Sequence, residues 1–234
     1  MEIHRAKDRG HTKIDWLDSW HSFSFGDYYD PARKGFGTLR VLNEDFVEAG
    51  RGFDTHGHKD MEIVTIVLEG ALQHRDSTGT QGIIKPGDVQ RMTAGSGIMH
   101  SEFNASEKER VHLLQIWVFP DKLNLQPGYE QKTFSGIPKG KFLTVVAGKK
   151  ENAAVFMNQN AFFSLGSFEK GTAGYERHDP KSGVYLFLIE GEIQLKDQIM
   201  RTSDAAALSH EEPVQFSPSK LSKVLAIEVP LKRT

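Results

Sequence analysis

The sequence predicts an all-β protein folded as two small barrels in tandem, on the basis of three observations. Apolar runs of four to eight residues, rich in Val, Ile, Phe and Thr, recur between glycine-rich turns. Stretches with the 3.6-residue period of an amphipathic helix are scarce. One strand-turn-strand pattern occurs twice, about half the chain apart. Short strands spaced in this way favour antiparallel sandwiches or barrels over alternating strands and helices.

Eight segments of the chain have the length and composition of buried strands. Turn residues separate several of them, as in the sequences Asp-Ser-Thr-Gly at 76–79 and Lys-Pro-Gly-Asp at 85–88. The predicted strands are residues 37–43, 62–69, 89–92, 111–119, 142–147, 161–168, 184–190 and 221–229.

The repeated pattern consists of an apolar strand, a Glu-Gly turn and a second strand that contains glutamine. Its turns end at Gly70 and Gly191, so each half of the chain carries one copy. Residues 120–141 are polar and rich in turn residues, and we expect them to connect the halves. The prediction is an N-terminal metal-binding barrel over residues 1–125 and a C-terminal barrel over residues 126–234.

The composition narrows the range of partners and locations. The chain has 234 residues, a net charge of −2 and no cysteine. This charge gives no global attraction to nucleic acid or to an anionic membrane, so neither is expected as a partner. Without cysteine, a metal has to be held by histidine and carboxylate. The N-terminus lacks the apolar core of a secretory signal, and no run approaches the ~18 apolar residues that span a bilayer, so a cytoplasmic location is expected.

Two pairs of potential metal ligands are the features that point most directly to chemistry. His56 and His58 lie two residues apart, and so do His100 and Glu102. Alternate residues of a strand share one face, so each pair can project into a barrel. A single His-x-His pair is often accidental, and paired histidines can also be buried without a metal. The presence of two pairs therefore favours a metal site.

The sequence around these pairs resembles the two signatures of the cupin family. Gly50, His56, His58 and Glu62 match the first signature, Gly-x5-His-x-His-x3/4-Glu, although the closing Gly70 lies one residue beyond the usual spacing. The sequence matches the second signature, Pro-x-Gly-x2-His, less closely, because a glycine-rich loop separates the proline from the histidine.

With this glycine-rich loop, the sequence is similar to the pirin family. Within that family it resembles the bacterial pirin-like quercetinases more than the vertebrate pirins. The resemblance covers about residues 8–120 well and is mainly architectural over the second half. The stretches that carry it are residues 18–31, 56–65, 93–102 and 113–117.

The resemblance implies two cupin barrels with metal in the N-terminal barrel alone. It implies that His56, His58, His100 and Glu102 hold one divalent transition metal ion, with Glu62 in a supporting or structural position. Iron, nickel, copper, manganese, cobalt and zinc all suit such ligands. The turn around residues 95–97 then gives the chain the freedom to present its second ligand pair inward.

The activity that the resemblance implies is that of a quercetin 2,3-dioxygenase, which opens a flavonol ring with O2 and releases carbon monoxide. Glu102 is then the candidate catalytic base, since it is the only anionic ligand. A metal-dependent or redox-dependent regulatory protein that binds other proteins remains an alternative, because pirins also have such partners. Another cupin activity, such as an isomerase or a different dioxygenase, is the third hypothesis.

The remaining histidines and aromatic residues are expected to have structural roles. His74 follows a strand into a polar turn and is expected at the surface, whereas His112 lies in an apolar strand and is expected in the core. The second half contains isolated histidines at 178 and 210, and no His-x-His pair. Four residues are expected in the core rather than in a pocket, namely Phe53, Met92, Phe103 and Trp117.

Overall fold

The computed structural model describes residues 1–148 and 153–232, and these residues form strands joined by turns and one short 3-10 helix at Ala6–Asp8. The strands are β1 (Glu2–His4), β2 (Gly10–Ile14), β3 (Leu17–His21), β4 (Leu39–Val47), β5 (Gly52–His58), β6 (Glu62–Glu69), β7 (Leu72–Asp76), β8 (Gln81–Ile84), β9 (Asp88–Thr93), β10 (Ile98–Asn104), β11 (Val111–Val118), β12 (Gly128–Thr133), β13 (Phe142–Ala147), β14 (Val155–Phe156), β15 (Phe162–Phe168), β16 (Ala173–Tyr175), β17 (Gly183–Glu190), β18 (Glu192–Leu195), β19 (Gln198–Arg201), β20 (Ala205–Leu208), β21 (Val214–Pro218) and β22 (Ser222–Val229).

Each half of the chain forms a barrel from a seven-stranded sheet and a four-stranded sheet. In the N-terminal barrel the strand orders are β12-β9-β6-β11-β4-β3-β2 and β5-β10-β7-β8. In the C-terminal barrel they are β1-β20-β17-β22-β15-β13-β14 and β16-β21-β18-β19. The prediction of an all-β chain with two tandem cupin barrels is confirmed.

All eight predicted strands are present, within a few residues at each end. The two copies of the repeat are also equivalent in the structure. Gly70 follows β6 and Gly191 follows β17, and both adopt left-handed backbone angles, with φ of 77° and 113°. Glycine adopts these angles without the steric cost that a Cβ atom imposes, so it suits both tight turns.

Two strands pair with the barrel on the other side of the predicted boundary between residues 125 and 126. β1 pairs with β20 of the C-terminal barrel, and β12 pairs with β9 of the N-terminal barrel. The stretch 120–141 is therefore more than the connection that the sequence suggested, because it supplies an edge strand to the first barrel. The boundary itself stays a prediction.

A hydrophobic cluster joins the outer faces of the two seven-stranded sheets. Val64 and Ile66 of β6 pack in this cluster with Tyr185 and Phe187 of β17, and all four side chains are buried. The residue between the last two, Leu186, points the other way into the core of the C-terminal barrel. Both faces of these strands are thus covered, which explains why they read as unbroken apolar runs.

Among the described residues, no helix is long and apolar enough to cross a membrane.

Candidate metal centre

Neighbouring strands of the four-stranded sheet bring three histidines together. His56 and His58 lie on one face of β5, and His100 of β10 stands directly opposite His56 in the strand pair. The Nε2 atoms of His56 and His100 are 3.0 Å apart. One ring nitrogen from each of the three side chains lies within 4.8 Å of the others. The pairs that the sequence singled out therefore meet across two strands.

The backbone near His56 fixes which nitrogen of that ring can bind a metal. Nδ1 of His56 lies 2.7 Å from the carbonyl oxygen of Asp54, which can only accept a hydrogen bond. Nδ1 therefore carries the proton, and Nε2 presents its lone pair towards His100. A bulge between β5 and β10 shifts the register just beyond this point, so that Glu102 pairs with Phe53.

The neighbours of the other two histidines keep their rings neutral. Burial and the nearby rings of His100 and His56 together lower the pKa of His58 to about 4, against an upward effect of Glu102. Burial and the ring of His56 lower the pKa of His100 to about 3. A neutral imidazole is the form that binds a metal ion.

Glu102 is buried near His100, and its carboxylate is held in place by two polar neighbours. Gln115 donates its Nε2 hydrogen to Oε2 at 2.9 Å, and the hydroxyl of Thr65 lies 3.5 Å from Oε1. Gln115 in turn accepts a hydrogen bond from Nε1 of Trp117 at 3.2 Å. In this structure Glu102 groups with His100 and a fourth histidine, His74, within 4.8 Å. Glu102 thus adjoins the three-histidine cluster through His100.

The donor atoms fit a divalent transition metal ion. Nε2 of His58 and Nδ1 of His100 are buried without any hydrogen-bond partner, an arrangement that is costly unless another group satisfies them. Neutral imidazole nitrogens with one carboxylate form the donor set that first-row transition metals bind. The residues present therefore suit the cofactor that the sequence predicts.

A cavity of about 470 Å³ opens onto this cluster. That size lies within the range of about 300–1,000 Å³ that is usual for small-molecule sites. Aromatic rings form much of its wall, and the rings of Trp117 and His58 meet edge to face with centroids 4.8 Å apart. The aromatic residues that line the cavity are Trp16, Phe25, Phe53 and Trp117.

A polar wall from β3, β4 and β11 forms another side of the cavity, and sequence reasoning missed it. His21, Asn43 and Gln115 stand side by side across the three strands. Nδ1 of His21 and Oδ1 of Asn43 are 2.9 Å apart, and the hydroxyl of Ser19 donates to Asp45. The available signal was the spacing of Asn43 and Asp45, two residues apart in β4, since polar residues at period two share one face of a strand.

Four expectations about individual residues need correction. Phe103 was expected in the core, but it is only partly buried and belongs to none of the hydrophobic clusters of the described residues. His74 is fully buried inside the barrel, not at the surface, because its strand β7 pairs with β10 and turns the ring inward. Phe53 and Trp117 line the cavity, although they were expected only in the core. Met92 is a core residue as expected.

Glu62 lies on the outer face of its strand, at the contact between the barrels. Its carboxylate accepts hydrogen bonds from the backbone and side-chain amides of Asn158, at 3.1 Å and 3.3 Å. It belongs to neither group of potential ligands in the described residues. Its contacts are those of a structural residue.

Within the described parts of the chain, both groups of potential ligands lie in the N-terminal barrel. The core of the C-terminal barrel is filled by apolar side chains such as Leu186, Leu195 and Phe216. His178 there stacks on Phe162 at a centroid distance of 4.1 Å.

Comparison with known proteins agrees with this architecture. The family model described as Pirin matches residues 3–118, and the model described as quercetinase C-terminal cupin domain matches residues 144–229. The chain is 39% identical to a quercetin 2,3-dioxygenase of Escherichia coli K12, over 97% of this chain and 98% of that protein.

Solved structures give the same result. The nickel(II) complex of the bacterial pirin YhhW from Escherichia coli has a TM-score of 0.91 and 36% identity, with 98% of each chain covered. An oxalate decarboxylase of Lactobacillus farciminis, with 11% identity and a TM-score of 0.68, shares only the fold. With two cupin barrels and these relatives over nearly its whole length, the chain belongs to the pirin family.

Proposed function

We propose that this protein is a metal-dependent dioxygenase of the quercetin 2,3-dioxygenase type, which opens the ring of a flavonol with O2 and releases carbon monoxide. The observation that carries this proposal is a three-histidine cluster, two of whose members, His56 and His58, line an aromatic-walled cavity. Relatives named as quercetin 2,3-dioxygenases, and a nickel-bound pirin, support it.

The proposed ligands of one divalent ion are His56, His58, His100 and Glu102. The facing Nε2 atoms of His56 and His100 and the unpartnered Nε2 of His58 support the three histidines. The group that Glu102 forms with His100 supports the fourth. When bound, the ion supplies Lewis acidity that lowers the pKa of a hydroxyl group it contacts.

Glu102 is the residue proposed to accept the proton of the flavonol hydroxyl. It is the one carboxylate in the two groups of potential ligands found in the described chain. Gln115 and Thr65 hold its two oxygens, and Trp117 orients Gln115. A general base held in this way needs little reorganisation when it takes up a proton.

The cavity suits a planar aromatic substrate. The rings of Phe25 and Trp117, which both line the cavity, meet edge to face with centroids 5.4 Å apart. Trp16 and Phe53 pack together in the same manner at 5.2 Å on another part of the wall. Apolar rings favour stacking with the flat face of a flavonol, while the polar wall offers partners for its hydroxyl groups.

Turnover of quercetin by metal-reconstituted protein tests the proposal. The metal-free chain is loaded separately with nickel, iron, copper, manganese, cobalt or zinc, and O2 uptake and carbon monoxide release are measured together. We expect equal amounts of both gases with at least one metal, and none with metal-free protein. The His56→Ala variant is expected to lose both metal binding and turnover.

Absence of carbon monoxide with every metal, in protein that binds metal stoichiometrically, would refute the dioxygenase proposal. A regulatory role would then be favoured if the metal-loaded and metal-free chains bind a protein partner with different affinity.

A further inference from the structure

His74 and Asp76 form a buried pair directly behind the proposed metal site. Their strand β7 lies next to β10, where Asp76 stands opposite His100 and His74 stands opposite Glu102. Residues directly opposite each other in an antiparallel pair project to the same side, so all four side chains face the barrel interior. The side chains of His74 and Asp76 are both completely inaccessible to solvent.

Asp76 fixes the tautomer of His74. Oδ2 of Asp76 lies 3.0 Å from Nε2 of His74. Its other oxygen accepts hydrogen bonds from the backbone amide of Thr78 at 2.9 Å and from the Thr78 hydroxyl at 2.6 Å, so the carboxylate cannot turn freely. An ionised carboxylate only accepts hydrogen bonds, so Nε2 of His74 carries the proton and Nδ1 keeps a free lone pair.

The lone pair of His74 lies beside a ligand histidine that needs an acceptor. Nδ1 of His74 and Nδ1 of His100 are both buried without a hydrogen-bond partner, and the two ring centroids are 5.3 Å apart. His100 directs its other nitrogen, Nε2, at His56. If Nε2 of His100 binds a metal ion, its Nδ1 must carry the proton and becomes a buried donor.

We propose that His74 is a positioning residue for the metal ligand His100, and that Asp76 sets its orientation. We expect Nδ1 of His74 to accept the Nδ1–H of His100 in the metal-bound protein, either directly or through one water molecule. This contact holds Nε2 of His100 towards the metal and makes it more basic. Histidine ligands commonly have such an outer partner, and its loss typically lowers metal affinity by about 10–100-fold. The inference rests on the ligand set under Proposed function but not on the reaction.

Nickel binding by the metal-free full-length chain tests this role without reference to turnover. His74→Phe keeps the bulk of the ring and removes the acceptor, and we expect its nickel affinity to fall by about 10–100-fold in isothermal titration calorimetry. In His74→Asn the amide oxygen can take the place of Nδ1, so we expect affinity to return at least partly. The visible absorption of cobalt-loaded protein should change in His74→Phe and resemble the parent in His74→Asn.

Asp76→Asn tests the same chain of contacts from its other end. The amide group donates to Nε2 of His74 and so moves the ring proton to Nδ1, where it opposes the Nδ1–H of His100. We expect the tautomer shift in ¹⁵N NMR of the histidine rings, together with weaker nickel binding. Thr78→Ala is the matched control, because it removes one hydrogen bond to Asp76 and leaves the contact with His74. Its affinity should remain within about twofold of the parent.

Several outcomes would overturn the inference. One is a folded His74→Phe protein with parental nickel affinity and an unchanged cobalt spectrum, and another is the binding of two ions per chain, which would make His74 a ligand. If His74→Phe fails to fold, unchanged nickel affinity in Asp76→Asn refutes the role. His56→Ala separates this result from failure of the proposed metal site. If His56→Ala loses nickel binding while the His74 variants keep it, only the role of His74 is refuted.

Discussion

Neutral imidazole rings at positions 58 and 100 make the proposed centre ready to bind metal near neutral pH. Burial and the neighbouring rings keep the pKa values of His58 and His100 at about 4 and about 3. Proton competition for these nitrogens is therefore slight at pH 7. A solvent-exposed histidine with a pKa near 6.5 would lose this advantage in mildly acidic solution.

Replacing Glu102 by glutamine tests its role as the base. The amide has nearly the same shape but cannot accept the substrate proton, so we expect turnover per bound metal ion to fall by about 10²–10⁴-fold. Turnover and metal content are measured on the same sample, since loss of a ligand also weakens binding. Full turnover per bound ion in Glu102→Gln would rule out the proposed base.

Asp45 is a second buried carboxyl group in the cavity, and its ionisation should make stability depend on pH. Burial raises the pKa of Asp45 to about 7, and the carboxylate of Glu102 raises it too, whereas the hydrogen bond from Ser19 lowers it. In the unfolded chain Asp45 ionises near pH 4. Between pH 4 and 7 the unfolded state is therefore the one that loses the proton, and this group destabilises the fold increasingly as the pH rises.

Asp45→Asn removes that pH-dependent cost. We expect the Tm difference between the metal-free variant and the metal-free parent to be several degrees larger, in favour of the variant, at pH 8 than at pH 4. About 1 kcal/mol moves Tm by about 2–4 °C in a chain of this size. Thermal melts at both pH values measure the difference. At pH 4 the folded group is neutral in both proteins, which provides the internal control. A Tm difference that does not change with pH would contradict the assignment.

At the scale of elements, the turn before β10 determines how the second ligand pair enters the barrel. Gly95 has a left-handed backbone with φ of 50°, and a Cβ atom there would lie 2.0 Å from the carbonyl oxygen of Leu125. The next residue, Ser96, donates its amide hydrogen to that same oxygen at 2.8 Å. The segment after β11 is thereby held against the turn that leads to His100.

Gly95→Ala should therefore be costly for a steric reason as well as a conformational one. Gly26 has a similar φ of 55° but no atom within 4 Å of the equivalent Cβ position, so Gly26→Ala is a matched control. We expect Gly95→Ala to lower the free energy of unfolding by about 1–3 kcal/mol more than Gly26→Ala. Urea denaturation measures both. Equal losses would mean that the contact with Leu125 has no energetic weight.

The longer buried strands were largely predictable, because period and turn chemistry are local properties of the chain. β5 carries His56 and His58 on one face as the spacing predicted. β12 was missed because its residues are polar and only half-buried at the sheet edge. An edge strand with little apolar content has no strong signal of its own, and its pairing with β9 appears only in the folded protein.

At the scale of the whole molecule, the two barrels share a core and exchange strands, so we expect them to unfold together. Strand β1 precedes all strands of the N-terminal barrel in sequence, but it pairs with β20 of the C-terminal barrel. The ion pair between Arg9 and Glu44 is buried, and Ser203 of the C-terminal barrel also contacts that carboxylate at 3.2 Å. Glu62 and Asn158 add a second polar contact between the barrels.

Tryptophan fluorescence offers a direct test of this coupling, since all three tryptophans, at positions 16, 20 and 117, lie in the N-terminal barrel. Leu186→Ala removes a fully buried side chain from the core of the C-terminal barrel, at an expected cost of about 2–5 kcal/mol. We expect the urea midpoint seen by tryptophan fluorescence to fall together with the midpoint seen by circular dichroism. An unchanged fluorescence midpoint would show that the barrels unfold independently.

The sequence by itself determined the features that depend on spacing along one strand or turn. These are the longer buried strands, the repeated Glu-Gly turns and the two pairs of candidate ligands. For the ligand pairs, a spacing of two residues already indicates that both side chains share one face of a strand. The resemblance to pirins then supplied the expected metal and the expected activity.

Only the tertiary structure decided which strands are neighbours. Strand pairing placed His74 and Asp76 behind His100, aligned Asn43 with Gln115 along the cavity, and set Glu62 against the other barrel. These contacts join residues far apart in the chain, and local spacing carries no information about them. The surroundings that tune the metal centre are therefore a property of the sheet register, whereas the candidate ligands are already visible in the sequence.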